Sequence, residues 1–147
     1  MLASIRPDSW NVPLLVHVLG AMVLVGAAAV AVVALLVPVG TGDAARRRGV
    51  AFRTLLLAGV PAFVAMRAGA EWIHSKELGS SADDPTWVGI GFFTADLGGI
   101  VLLLALVLSG VSTRQPSSVL VRVAGLLAAL ALAGWLVAVW AMAGKPA

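Results

Sequence analysis

The stretch WVGIGFFTADLGGIVLLLALVLSGV, residues 87–111, reads as a membrane-spanning helix carrying one carboxylate, Asp96. It exceeds the roughly 18 apolar residues needed to cross a hydrocarbon core of about 30 Å. A charged side chain near the centre of such a helix costs roughly 2.5–3.5 kcal/mol on insertion scales, so Asp96 is expected to face other protein and to have a partner. Three further runs share this character, at 13–37, 50–70 and 118–143. The pattern predicts helices over about 13–37, 50–74, 87–111 and 118–143, with connections short enough to make consecutive helices antiparallel neighbours. The expected fold is all-α, an integral membrane four-helix bundle forming a single transmembrane domain over 1–147.

Composition supports that class. Of 147 residues, 61% are hydrophobic and 12% charged, with a mean hydropathy of +1.03, against about 25% charged residues in ordinary soluble domains. In the first run Ala27, Ala29 and Ala31 offer a small-residue cleavage pattern. Its length and weakly charged start, Arg6 offset by Asp8, fit a retained helix better. The chain has no cysteine, which excludes disulfides, thiolate metal sites and cysteine nucleophiles together. The excess of Ala, Gly and Val, and of Arg over Lys, points to a GC-rich bacterial genome. The net charge of +3 is read as membrane topology, and no nucleic-acid partner is expected.

Arginines and tryptophans set the expected orientation. Arg46, Arg47, Arg48 and Arg53 lie between the first two helices, and Arg114 and Arg122 between the last two. The opposite side carries Arg6, Arg67, Lys76 and Lys145, diluted by Asp8, Glu71, Glu77, Asp83 and Asp84. The positive-inside rule therefore places both termini and the loop 75–86 outside the cytoplasm, an N-out/C-out protein of the cytoplasmic membrane. Trp10, Trp72, Trp87 and Trp140 fall at the outer helix ends like an interfacial belt, with Trp135 about one turn deeper. Small residues at packing spacing, Gly91, Ala95 and Gly99 on the third helix and Gly125, Ala129 and Ala133 on the fourth, predict close helix approach. Pro61 is expected to kink the second helix.

The candidate site is a convergence of polar side chains in the outer half. Arg67, Glu71 and His74 are spaced by four and three residues and share one helical face, continued inward by Phe63. His17 lies about one turn into the first helix from the same side. Asp96 lies roughly 12–14 Å from Trp87 at 1.5 Å per residue, near the level of Arg67. An Arg67–Asp96 pair would neutralise both groups. Each residue also has a plainer reading. Arg67, Glu71 and His74 fit a headgroup zone with Arg67 snorkelling, His17 a hydrogen-bonded interfacial position, and Asp96 a structural ion pair or a bond to Thr94. Arg53 and Arg122 fit snorkelling at the inner interface, and Met22, Met66 and Met142 fit packing.

Three chemistries are open to these groups. His17 and His74, on different helices at one side of the bundle, are the minimum for bis-histidine haem b ligation, with Gly20 giving a macrocycle room. The histidines with Glu71 or Asp96 can bind a divalent metal, and histidine with Met66 or Met142 suits copper. Asp96, Glu71 and His17 can instead form a proton path or quinol-binding cluster. The segment His17-Val-Leu-Gly-Ala-Met-Val-Leu-Val-Gly26 resembles the opening helix of the copper-resistance D family and of small related bacterial membrane proteins. That resemblance covers about ten residues and implies a bundle handling copper or haem at its outer face, with His17 as the one residue carried over.

The expected function is binding of haem b or a metal ion in the polar cluster, with a membrane redox, electron-transfer or metal-handling role. The competing class is a non-catalytic accessory or assembly subunit of a larger membrane complex, in which Arg67, Asp96 and Glu71 act as internal glue. Expected partners are the lipid bilayer and other membrane subunits or further copies of the chain. A soluble-type enzyme is disfavoured. There is no nucleophile constellation and no glycine-rich phosphate loop, and Gly40-Thr41-Gly42-Asp43 reads as a turn. The polar loop 75–86 is read as a solvated connector able to lid an outward-facing site.

Overall fold

A computed structural model describes residues 8–37, 43–77 and 85–144. The turn at 40–42, most of the loop 75–86, and Arg6, Asp83, Asp84 and Lys145 lie outside them. Among the described residues the structure is helical throughout. A 3-10 turn, Asp8–Trp10, leads into α1 (Asn11–Leu36). Then α2 (Ala44–Thr54), a π turn (Leu55–Gly59) and α3 (Val60–Glu77) follow one another without a break, before α4 (Thr86–Arg114) and α5 (Ser118–Gly144). Among the described residues four helical spans are long and apolar enough to cross a membrane, 26, 33, 29 and 27 residues long, the second being Ala44–Lys76 of the continuous α2–α3 rod.

Local sequence explains the helix ends. Pro13 sits in the first turn of α1, where the missing N–H costs no helical bond. Val37 is extended (φ −81°, ψ 121°) ahead of Pro38, and Gln115 is extended (φ −120°, ψ 90°) ahead of Pro116, as sterics before proline require. Ser117 caps α5, its hydroxyl accepting from the Leu120 N–H at 3.4 Å. The second helix begins at Ala44, six residues before the predicted start. The apolar run measures what lipid accepts, whereas Ala44-Ala-Arg-Arg-Arg48 is good helix-forming sequence that carries the rod beyond it. The effect of Pro61 takes the form of the π turn immediately before it. The Val60 N–H reaches back to the Leu55 carbonyl, a widened turn of the kind that absorbs a proline's missing bond.

Glycines set the packing. A methyl built on Gly20 would lie 2.6 Å from Met66 N, and one built on Gly69 would lie 2.6 Å from His17 N. So α1 and α3 cross backbone to backbone, each at the other's glycine. On α4, Gly98 lies under the Trp135 indole, Gly91 under the Met142 methyl, Gly99 under Phe63 and Gly110 under Phe52. Every helix meets α4 or α1 through a residue with no side chain, the small-residue packing of apolar bundles.

On α5 the buried stripe is Ala124, Ala128, Ala131 and Trp135, whereas the predicted stripe of Gly125, Ala129 and Ala133 ends on an exposed residue, Ala133. In an alanine-rich helix several small-residue stripes overlap, and the bulk of Trp135 decides which one turns inward. Trp135 is 4% exposed, whereas Trp72 and Trp140 are 47% and 62% exposed at the end of the bundle where α1 and α4 begin and α3 and α5 finish. We call this the terminal end, and the opposite end, carrying Arg46 to Arg48, Arg114 and Arg122, the arginine end. Packing differs between them. At the arginine end α5 lies on α1 through Gly125 against Leu35 and Leu36, and Phe52 reaches α4. Towards the terminal end α1 pairs with α3 and α4 pairs with α5, and the two pairs leave space between them.

Candidate functional site

That space is a cavity of about 770 Å³ lined from α1, α3, α4 and α5, within the range of small-molecule and cofactor sites. Its walls are apolar apart from His17, Arg67 and Trp135, and three methionines, Met22, Met66 and Met142, also line it.

His17 is placed by the glycine crossing. With α1 and α3 in backbone contact, its Nδ1 comes 2.9 Å from the Met66 carbonyl oxygen. A carbonyl only accepts, so Nδ1 carries the proton and donates. In the neutral imidazole the free lone pair is then on Nε2. Arg67, the next residue on α3, lies between this cavity and the α3/α4 face. Its Nε donates to Asp96 Oδ1 at 2.8 Å and its Nη1 to Glu71 Oε1. Its guanidinium lies 4.5 Å from the centroid of the Phe92 ring, a cation–π distance. The arginine side chain is 25% exposed, and each carboxylate side chain 57%. One guanidinium shared by two carboxylates leaves the triad one negative charge in excess when both are ionised.

His74 meets Phe92 from another side, edge to face, with ring centroids 5.4 Å apart and an interplanar angle of 89°. It does not line the cavity. Asp96 and Glu71 do not line it either. Thr94 donates its hydroxyl to the Ile90 and Gly91 carbonyls at 2.7 and 3.1 Å, spending it within α4 rather than on Asp96. The predicted cluster is therefore divided. His17 and Arg67 belong to the cavity, while Glu71, His74 and Asp96 belong to an ion-pair and aromatic assembly on the α3/α4 face. Among the described residues no three His, Asp or Glu side chains come together to hold a metal ion.

Two contributors were absent from the sequence reading of the site. Phe92 organises both Arg67 and His74, and its place one turn before Asp96 on the same helix was the available signal. Trp135 is marked in the sequence only by lying deeper than the other tryptophans. It is buried, lines the cavity, packs against Gly98, and its indole Nε1–H has no hydrogen-bond acceptor among the described residues. A buried donor without a partner costs roughly 1–3 kcal/mol. The cavity wall thus carries one imidazole and three thioethers in an otherwise apolar surround, while the Trp135 N–H is buried against Gly98. Comparison with protein-family models, with curated proteins and with solved structures finds no match.

Proposed function

We propose that this chain is a multi-pass protein of the cytoplasmic membrane, with both termini outside the cytoplasm, that holds haem b in the cavity at the terminal end with His17 Nε2 as the iron ligand, and that it serves membrane electron transfer. The observation that carries this reading is the bond from His17 Nδ1–H to the Met66 carbonyl. Ligating histidines almost always commit the other ring N–H to a carbonyl, a carboxylate or water, which fixes the tautomer and the ring plane. The volume and apolar walls of the cavity suit a macrocycle better than a bare ion. With His74 outside the cavity, the thioethers of Met22, Met66 and Met142 are the other side chains there that would be able to hold the group. When bound, haem would supply one-electron chemistry, tuned by the residues that would hold it and by the apolar walls around it.

The same imidazole and thioethers are an acceptable donor set for copper, so the assay must separate iron from copper. The protein is purified in detergent after expression with haem precursor and copper supplied. Its spectrum is recorded air-oxidised and dithionite-reduced, and iron, copper and zinc are measured on the same sample. The expected result is a Soret band that shifts on reduction, with iron near one per chain. A folded protein free of colour and metal would overturn the cofactor reading. The accessory-subunit reading would then stand, supported by the way Arg67 spends its donors on two carboxylates of its own chain. Orientation has its own check, because the chain has no cysteine. A cysteine replacing Ser75 is expected to react with a membrane-impermeant thiol reagent added to intact cells, and labelling only after lysis would reverse the topology.

A further inference from the structure

We propose that the arginine end of the bundle holds the headgroup phosphate of an anionic glycerophospholipid. A second cavity, of about 600 Å³, lies between the end of α1, the start of α2 and the start of α5. Its wall divides into two chemistries. Leu35, Leu36, Val121 and Leu126 make an apolar side, while Arg47, Arg48 and Arg122 make a basic one, and among the described residues no acidic one lines it.

The three arginines are not equivalent. Arg47 is spent on the carbonyls left open at the end of α1, its Nε donating to Ala34 O at 3.0 Å and its Nη2 to Val37 O. Arg48 has a buried Nε with no acceptor among the described residues. Arg122 is exposed on the first turns of α5. Asp43, the nearest acid in sequence, is paired with Arg46 at 3.3 Å. Among the described residues the cavity therefore has three positive charges on its wall and no carboxylate there to meet them.

An occupant that satisfies this wall carries a net negative charge, several acceptor oxygens and an apolar body. An anionic diacyl phospholipid has all three. A zwitterionic lipid lacks the net charge, and free phosphate leaves the leucine side bare. Basic pockets between helix ends at a membrane surface are recognised lipid-headgroup sites, and each arginine there contributes about a fivefold effect on binding. The proposal rests on the membrane-spanning reading of the bundle and is independent of what the other cavity holds.

The test uses full-length protein in a nonionic detergent and native mass spectrometry. Dioleoylphosphatidylglycerol and dioleoylphosphatidylcholine are added at equal concentration, with inorganic phosphate as a third arm. The phosphatidylglycerol adduct is expected to exceed the phosphatidylcholine adduct at least fivefold. Arg122→Gln, at an exposed position, should lower it about fivefold, and Arg48→Gln with Arg122→Gln about 25-fold, with phosphatidylcholine unchanged. Equal retention of the two lipids, or undiminished phosphatidylglycerol retention by Arg122→Gln, overturns the proposal. Displacement by millimolar phosphate would assign the arginines to a soluble anion and overturn the lipid assignment. A protein that stays dispersed without detergent would instead defeat the membrane reading beneath it.

Discussion

Arg67→Met is expected to accumulate in membranes at a small fraction of the wild-type level and to unfold at a markedly lower temperature in detergent. The substitution preserves length and apolar packing but removes the guanidinium that Asp96 and Glu71 share. On the membrane-spanning reading, Asp96 then lies uncompensated in the middle part of α4. That costs roughly 2.5–3.5 kcal/mol, a large share of the total stability of most domains. Arg67→Lys should recover part of the loss, since a single ammonium cannot reproduce the two-pronged contact. The decisive arm is the triple substitution Arg67→Met, Glu71→Gln and Asp96→Asn. With no charge left to compensate, accumulation and stability should return close to wild type. Wild-type yield from Arg67→Met alone, or no recovery in the triple variant, would show that compensating the Asp96 charge is not what Arg67 contributes.

Gly69→Ala is expected to destabilise the protein by about 1–3 kcal/mol, the usual cost of overpacking, although alanine favours a helix over glycine by about 1 kcal/mol. The two effects have opposite sign, so the direction of the change in unfolding temperature decides between them. The added methyl meets backbone, with His17 N at 2.6 Å and His17 Cα at 2.8 Å. No rotamer change relieves that, so α1 and α3 must part and the bond from His17 to Met66 must lengthen. Gly134→Ala is the control, because nothing lies within 4 Å of its built methyl. It should be neutral or slightly stabilising. Equal behaviour of the two variants would contradict the backbone crossing.

The features legible in the sequence are those set by one helix at a time. Hydropathy and length locate four long helices because an apolar run of that size serves no other common purpose. Depth arithmetic along α3 and α4 brings Arg67 to the level of Asp96, and four-residue spacing brings it to Glu71. Relations between helices were less accessible. The partner of His17 is a backbone carbonyl, and every residue of α3 offers one, so no residue type marks it. The division of the polar cluster between cavity and α3/α4 face depends on helix rotation about its axis. Near-uniform apolarity removes the moment that would reveal such a rotation, and for the same reason the expected stripe on α5 holds at Gly125, buried against Leu35 and Leu36, but leaves the core by Ala133. The cavity arises because the helices pack closely at one end and pair off at the other, a property no single segment carries.

The proposed haem site is tested most directly at His17. Reduced-minus-oxidised spectra are taken of wild type, His17→Ala and His74→Ala, purified in parallel after expression with haem precursor and matched for folded protein by circular dichroism. A haem b difference spectrum is expected in wild type, with its loss in His17→Ala and its retention in His74→Ala, since His74 lies against Phe92 and outside the cavity. A spectrum that survives His17→Ala, or that is lost only in His74→Ala, would contradict it.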